Sequence, residues 1–307
     1  MRTRLSQAID WHRPLMIFSL AMVVMTVASV LGLIVDDRMI AGAPNWLKPF
    51  KFAVSFIAYS VMWAWLMSLH PRRPRWLHHT GTLLAVAGVV EMAAIAGQAL
   101  RGKPSHFNVQ TEFDATLWIT MGITVAILWV ATLAASISVA RDVLLPRPLK
   151  LSINLGMAIS LAGMLTGPLM SQRETGIKGV AGAHSIGVPD GGPGMPITGW
   201  NLVGGDLRVG HFIGIHGLQV LPLVAVVLAA FVARHAILAR EEVRTRLVWT
   251  AGGVYTGLFA LVTWQAFRGQ SLVEPDALTL LAFAGIVAAG TAGVTWAKSA
   301  ARTPVPA

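Results

Sequence analysis

The chain has 307 residues, 55% of them hydrophobic and only 12% charged, with a formal net charge of +10 and no cysteine. So few charges exclude an ordinary soluble globular domain, in which about a quarter of residues are charged. The absence of thiols excludes disulfides, thiolate metal sites and cysteine redox chemistry.

Eight apolar stretches are long enough to cross a hydrocarbon core, which takes roughly 20 helical residues. They fall near 15–35, 50–69, 80–100, 115–139, 151–171, 209–233, 247–267 and 277–297. A soluble bundle of eight buried helices would leave almost no amphipathic surface, so eight transmembrane helices are predicted. The first stretch follows Arg2, Arg4 and Arg13 and lacks a cleavage site. It is too long for a signal-peptide core and is expected to remain as an anchor. Of the 24 Lys and Arg, 15 fall in the N-terminus, the even-numbered loops and the C-terminal tail. That bias predicts a multi-pass protein of the bacterial inner (plasma) membrane with both termini cytoplasmic. The positive charge is then a topology signal, with membrane lipid as its partner. No loop carries a dense basic run interleaved with aromatics, so nucleic acid is not expected as a partner.

Short words recur along the chain in the same order. Arg13-Pro14-Leu15 returns as Arg147-Pro148-Leu149, and Leu47-Lys48 with Lys51-Phe52 as Leu207-Arg208 with His211-Phe212. Gln98-Ala99-Leu100-Arg101-Gly102 returns as Gln265-Ala266-Phe267-Arg268-Gly269, and Asp114-Ala115 as Asp276-Ala277. The expected fold is therefore an all-α integral membrane protein of two tandem four-helix repeats, residues 1–141 and 142–307. Four helices is an even number, so both copies cross the membrane in one direction. A pseudo-twofold axis along the membrane normal follows. The offset between copies jumps from 134 to 160 residues between helices five and six, marking an insertion. This Gly-rich outer loop, 174–208, holds ten glycines between Gly176 and Gly205 and the run PDGGPGMP. Gly and Pro at that density deny regular structure. A lid over an outward pocket and a passive linker are equal readings of it.

The unusual residues gather on the predicted outer side. Glu91 is the one charged residue placed deep in a span, where an ionisable group is costly and faces protein or water. Ile95 and Gln98 share its helix face, with Arg101 about 80° away. Apolar Ile95 interrupts this polar track, and the repeat mate of Glu91 is Leu258. Glu91 and Asp114 are the expected proton-handling carboxylates, against a purely internal hydrogen-bond network. Lys51, Gln98, Arg101, Gln265, Arg268 and Gln219 form the expected ligand-binding set, because Arg and Lys suit an anionic guest. Snorkelling to lipid, or a repeated helix cap, explains the same Arg pair.

His106, His211 and His216 are the expected metal ligands. His211 and His216 stand roughly 140° apart on a regular helix, so a centre needs His106 or His184 brought from another segment. Imidazole with carboxylate suits zinc, iron or copper. The competing reading for each is a hydrogen-bonded structural histidine. His216 shares a face with Phe212 and Gln219, and Gly210, Gly214 and Gly217 form a strip for close helix approach.

The strings WLKPFKFAVS, RGKPSHFN and GVPDGGPG through GGDLRVGHFIGIHGLQ resemble an uncharacterised family of bacterial multi-pass membrane proteins over most of the chain. That resemblance implies a membrane fold and brings no activity or functional residue. In architecture alone, tandem four-helix bundles with outer histidines are similar to haem A synthase, although helices 2, 4 and 8 here contain no histidine. The function expected is an outward-facing Arg/His/Glu/Gln pocket between the repeats, binding an anionic small molecule or a cofactor. Haem or a divalent transition metal are the candidates. The alternatives are a proton-coupled transporter of a small anionic solute, and a non-enzymatic accessory subunit docked through its Gly-rich loop.

Overall fold

The computed structural model describes residues 8–302, so Arg2 and Arg4 of the orientation argument lie outside the described residues. Seven helices are long and apolar enough to cross a membrane: α1 (Arg13–Val35), α2 (Leu47–Ser68), α3 (Arg75–Arg101), α4 (Glu112–Asp142), α5 (Arg147–Ser171), α8 (Glu241–Phe267) and α9 (Ala277–Ser299). The sixth predicted span, 209–233, is not one helix. It consists of α6 (Leu207–Ile215) and α7 (Gly217–Ala230), bent by 46° at His216. Among the described residues strand is confined to two-residue pieces such as β1 (Met39–Ile40) and β2 (Ala43–Pro44). This is the build of a multi-pass helical membrane protein.

Two compact units divide the chain. The first comprises residues up to Val143 with Pro168–Val203; the second comprises Leu144–Gly167 with Gly204–Ala307. The Gly-rich segment thus groups with the first unit.

Within the first unit α3 is the central helix, packed against α1, α2 and α4. Over half of its apolar window, 56%, is buried, twice the 28% of α1. One end of this unit gathers the C-termini of α1 and α3 and the N-termini of α2 and α4. Polar side chains tie these helix ends together. Asp36 accepts from Arg38 Nη2 (2.7 Å), Asn45 Nδ2 (2.9 Å) and Trp46 Nε1 (2.7 Å), while Asn45 also donates to the Ala99 carbonyl at 2.8 Å. The Trp46 ring lies flat on Gly32, where any Cβ would collide with it. The Gly-rich segment docks on this same end. Val109 and Ala181 exchange backbone bonds with Gly179 and Phe107, and Gly42 abuts the Gly191 carbonyl so closely that only glycine fits.

The Arg38 guanidinium, with Asn45, holds the Asp36 carboxyl well below the usual carboxylate range. A depressed folded-state pKa contributes stability that is complete above the unfolded value. It is lost as the pH falls through the folded one. We expect thermal melts in detergent to show an acid-labile limb below about pH 4, flattened in Asp36→Asn.

In the second unit α5 crosses α6 and α7 at glycines. A Cβ on Gly163 would stand 2.5 Å from the Gly214 carbonyl carbon, and one on Gly156 would stand 2.8 Å from the Gly217 oxygen. Such close approach is how helices associate where lipid removes the hydrophobic drive. The break at His216 frees carbonyls that a bilayer cannot hydrate, and neighbours satisfy them. Tyr255 Oη donates to the Ile213 carbonyl (2.5 Å) and Ser160 Oγ to that of Ile215 (3.0 Å).

Candidate functional site

Glu91 sits in α3 about 15 Å from its Arg101 end, at 1.5 Å per residue. Its side chain is 2% exposed, and Oε1 has no hydrogen-bond partner among the described residues. Lys48, in the first turn of α2, is the cation that acts on it electrostatically. Toward the helix end the polar track stops, as the sequence implied: Ile95 is buried with Ala94 and Met121, and Phe52 and Leu117 pack on them.

Beyond this apolar layer Gln98, Arg101 and Asp114 come together. Asp114, 1% exposed, accepts from Gln98 Nε2 (2.8 Å), Arg101 Nη1 (2.7 Å) and Thr111 Oγ1 (2.8 Å). Arg101 Nη1 also donates to Gln98 Oε1 at 2.6 Å, and its guanidinium lies over Phe113. The local reason is helix capping. Gly102 takes a left-handed conformation (φ 65°), its N–H bonds to the Ala99 carbonyl, and Lys103 N–H reaches back to Gln98. This is a Schellman ending, in which glycine at the left-handed position closes the helix. Thr111 in turn caps α4, receiving the Asp114 N–H at 3.1 Å.

The second QAxRG word does the same. Gly269 (φ 71°) bonds back to Ala266, and Gln270 N–H bonds to the Gln265 carbonyl. Gln265 Nε2 donates to the Ser271 carbonyl at 2.7 Å, and Arg268 pairs with Asp276 while stacking on Trp264. Asp276 differs from Asp114 in being far more exposed and in being itself the N-cap of α9, accepting from Thr279 N–H. In both words, the contacts of the Arg are those of a helix-end ion pair. Asp114→Ala is expected to cost about 3 kcal/mol, because it strips three donors of a buried acceptor. Arg101→Ala should cost about 1 kcal/mol, since its side chain is 42% exposed and solvent screens the pair. Unfolding titrations of the two variants and their double mutant measure the difference.

The remaining expected residues divide between the two units. Lys51 Nζ donates to the Thr198 carbonyl of the Gly-rich segment at 2.6 Å. His106 stands among Phe52, Phe107 and Trp118, with ring centroids 5.4 to 6.3 Å away, and its Nδ1 lies 3.2 Å from Ser105 Oγ. In the second unit His211 Nδ1 is 2.9 Å from the Gly163 carbonyl and 3.1 Å from Thr166 Oγ1. A carbonyl only accepts, so Nδ1 carries the proton. His216 forms the corner between α6 and α7, so the regular-helix geometry assumed for the pair is replaced by a bend, and its ring stacks on Phe212. Gln219, close to one turn further along, places its side chain within hydrogen-bonding reach of the His216 ring. Among the described residues no three His, Asp or Glu side chains converge as a metal site.

Sequence reasoning missed the Asp36–Asn45–Trp46 knot and the Tyr255 and Ser160 supports of the break. Thr111-x-x-Asp114 does carry a readable capping signature. Nothing marks Tyr255 or Ser160, because their carbonyl partners depend on a bend that exists only in the packed bundle.

Fold and site together define a polytopic helical membrane protein whose first unit buries a carboxyl with one oxygen, Glu91 Oε1, lacking a hydrogen-bond partner among the described residues. No family model matches the chain, and no curated protein or solved structure shows significant similarity to it.

Proposed function

We propose that this is a bacterial inner-membrane protein, with cytoplasmic termini, that binds a small molecule at the loop end of its first unit. The observation that carries the reading is Glu91. A carboxyl deep in an apolar helix, with an oxygen that no group among the described residues satisfies, is costly and marks function by default. The ligand class is a small molecule or cofactor with an anionic group. Lys48 and Lys51 supply the positive field at that end, while Glu91 gives or takes a proton at its Oε1. The docked Gly-rich segment serves as the cover, its Thr198 carbonyl held by Lys51. The test is native mass spectrometry with an absorbance spectrum of gently solubilised protein. A co-purifying small molecule that Glu91→Gln loses at least tenfold supports the site. Wild-type protein carrying only phospholipid overturns it.

A second reading is proton-coupled transport of a small anionic solute, favoured by the interruption between α6 and α7. Discontinuous helices line solute and ion sites in transporters. Glu91 would then carry the coupled proton. Uptake into proteoliposomes that follows an imposed pH gradient, and is lost in Glu91→Gln, supports it; gradient-independent behaviour excludes it.

A further inference from the structure

The least buried span is α9. Only 6% of its apolar window is covered, and among the spans it packs on α8. Between these two helices runs a groove of about 280 Å³, floored by Gly253, Val254, Ile286 and Ala289. Trp249 and Trp296 flank it, 50% and 48% exposed. Arg246 lies one helical turn before Thr250 on the groove face of α8, its guanidinium over the Trp296 ring at 4.9 Å.

The hydrogen bonds at this end are unbalanced. Arg246 uses Nε on Glu242 (2.9 Å) and Nη1 on the Trp296 carbonyl and Ser299 Oγ (both 3.3 Å). Its Nη2 and the indole N–H groups of Trp249 and Trp296 have no acceptor among the described residues. Lys298, Arg240 and Arg244 add positive charge around the same helix ends, against Glu241 and Glu242. Donors and cations therefore stand at one end of a channel whose other walls, Thr250 apart, are glycine and hydrocarbon. Tryptophan and arginine take up the headgroup level of a bilayer, where one side of the ring is apolar and the other wet.

We infer that the α8–α9 groove is a binding site for one anionic phospholipid, with an acyl chain along Gly253 and Ala289 and the phosphodiester at Arg246 and the two indoles. The argument is charge complementarity: three unmatched donors and a cationic excess call for a phosphate oxygen, and a mostly apolar trough in a lipid-facing pair calls for a tail. The site is independent of the Glu91 reading.

The glycines provide a clean test. A Cβ on Gly253 meets nothing within 4 Å although the residue lines the groove, and Gly285 on α9 is equally open but does not line it. Full-length protein is titrated with phosphatidylglycerol or phosphatidylcholine in micelles and read by native mass spectrometry. Phosphatidylglycerol should be retained about fivefold better, the effect of one basic residue near an anionic headgroup. Arg246→Gln should abolish that preference and Arg246→Lys restore it. Gly253→Phe, or Gly253→Leu if the larger residue impairs folding, should remove both lipids, while Gly285→Phe leaves retention unchanged. Equal retention of the two lipids by wild type, or undiminished retention in Gly253→Phe, overturns the site. So does a dimer lost in Gly253→Phe without loss of lipid, which assigns the groove to a second copy of the chain.

Discussion

Glu91→Leu is expected to stabilise the protein by about 1–3 kcal/mol while abolishing its ligand or proton coupling. Leucine is close to glutamate in size and fills the same space beside Ile95 without asking for a partner. The wild-type carboxyl leaves Oε1 unsatisfied at 2% exposure, and that deficit vanishes with the substitution. Glu91→Gln keeps the shape and the polarity, so its stability should stay close to wild type. The pattern separates a functional acid from a structural one. Loss of stability in Glu91→Leu, measured by unfolding in micelles, would show a carboxyl that holds helices together and would sink the proposed site.

The second large effect concerns the crossing of α5 and α6. Gly163→Leu should cost more than about 3 kcal/mol and strongly reduce the yield of folded protein, because the added carbon meets backbone atoms that cannot rotate away. The obstructing groups are the Gly214 carbonyl carbon and the Ile215 nitrogen, both 2.5 Å from the new Cβ. Gly122→Ala in α4 is the control. Its Cβ meets nothing within 4 Å, so the substitution should be neutral or slightly stabilising. Equal yields and melting temperatures for the two variants would disprove the close crossing.

Most spans could be read from the sequence because length and apolarity alone decide what crosses a bilayer. Arg13–Val35 and Ala277–Ser299 lie within two residues of their predicted bounds. The bend at His216 was not readable. The run Gly214 to Gly217 is tolerated inside an ordinary transmembrane helix, and what holds it bent are hydroxyls from Ser160 and Tyr255. At the site, the burial of Glu91 and the apolar interruption at Ile95 followed from helical spacing. The role of the QAxRG words did not, because a guanidinium at a helix end is equally suited to a ligand or to an aspartate. The pairing with Asp114 and Asp276 depends on where the packed helices place those carboxylates. The Gly-rich segment announced its irregularity through composition, but its attachment to 107–110 runs through backbone bonds that leave no trace in side-chain identity.

That attachment bears on how the polypeptide matures. Since Pro168–Val203 belongs with the residues before Val143, the ribosome must deliver a fifth membrane segment before the N-terminal module can be finished. A chain severed at Val143 would emerge from the translocon without its cap, and supplying the missing C-terminal fragment in trans should be required to recover it.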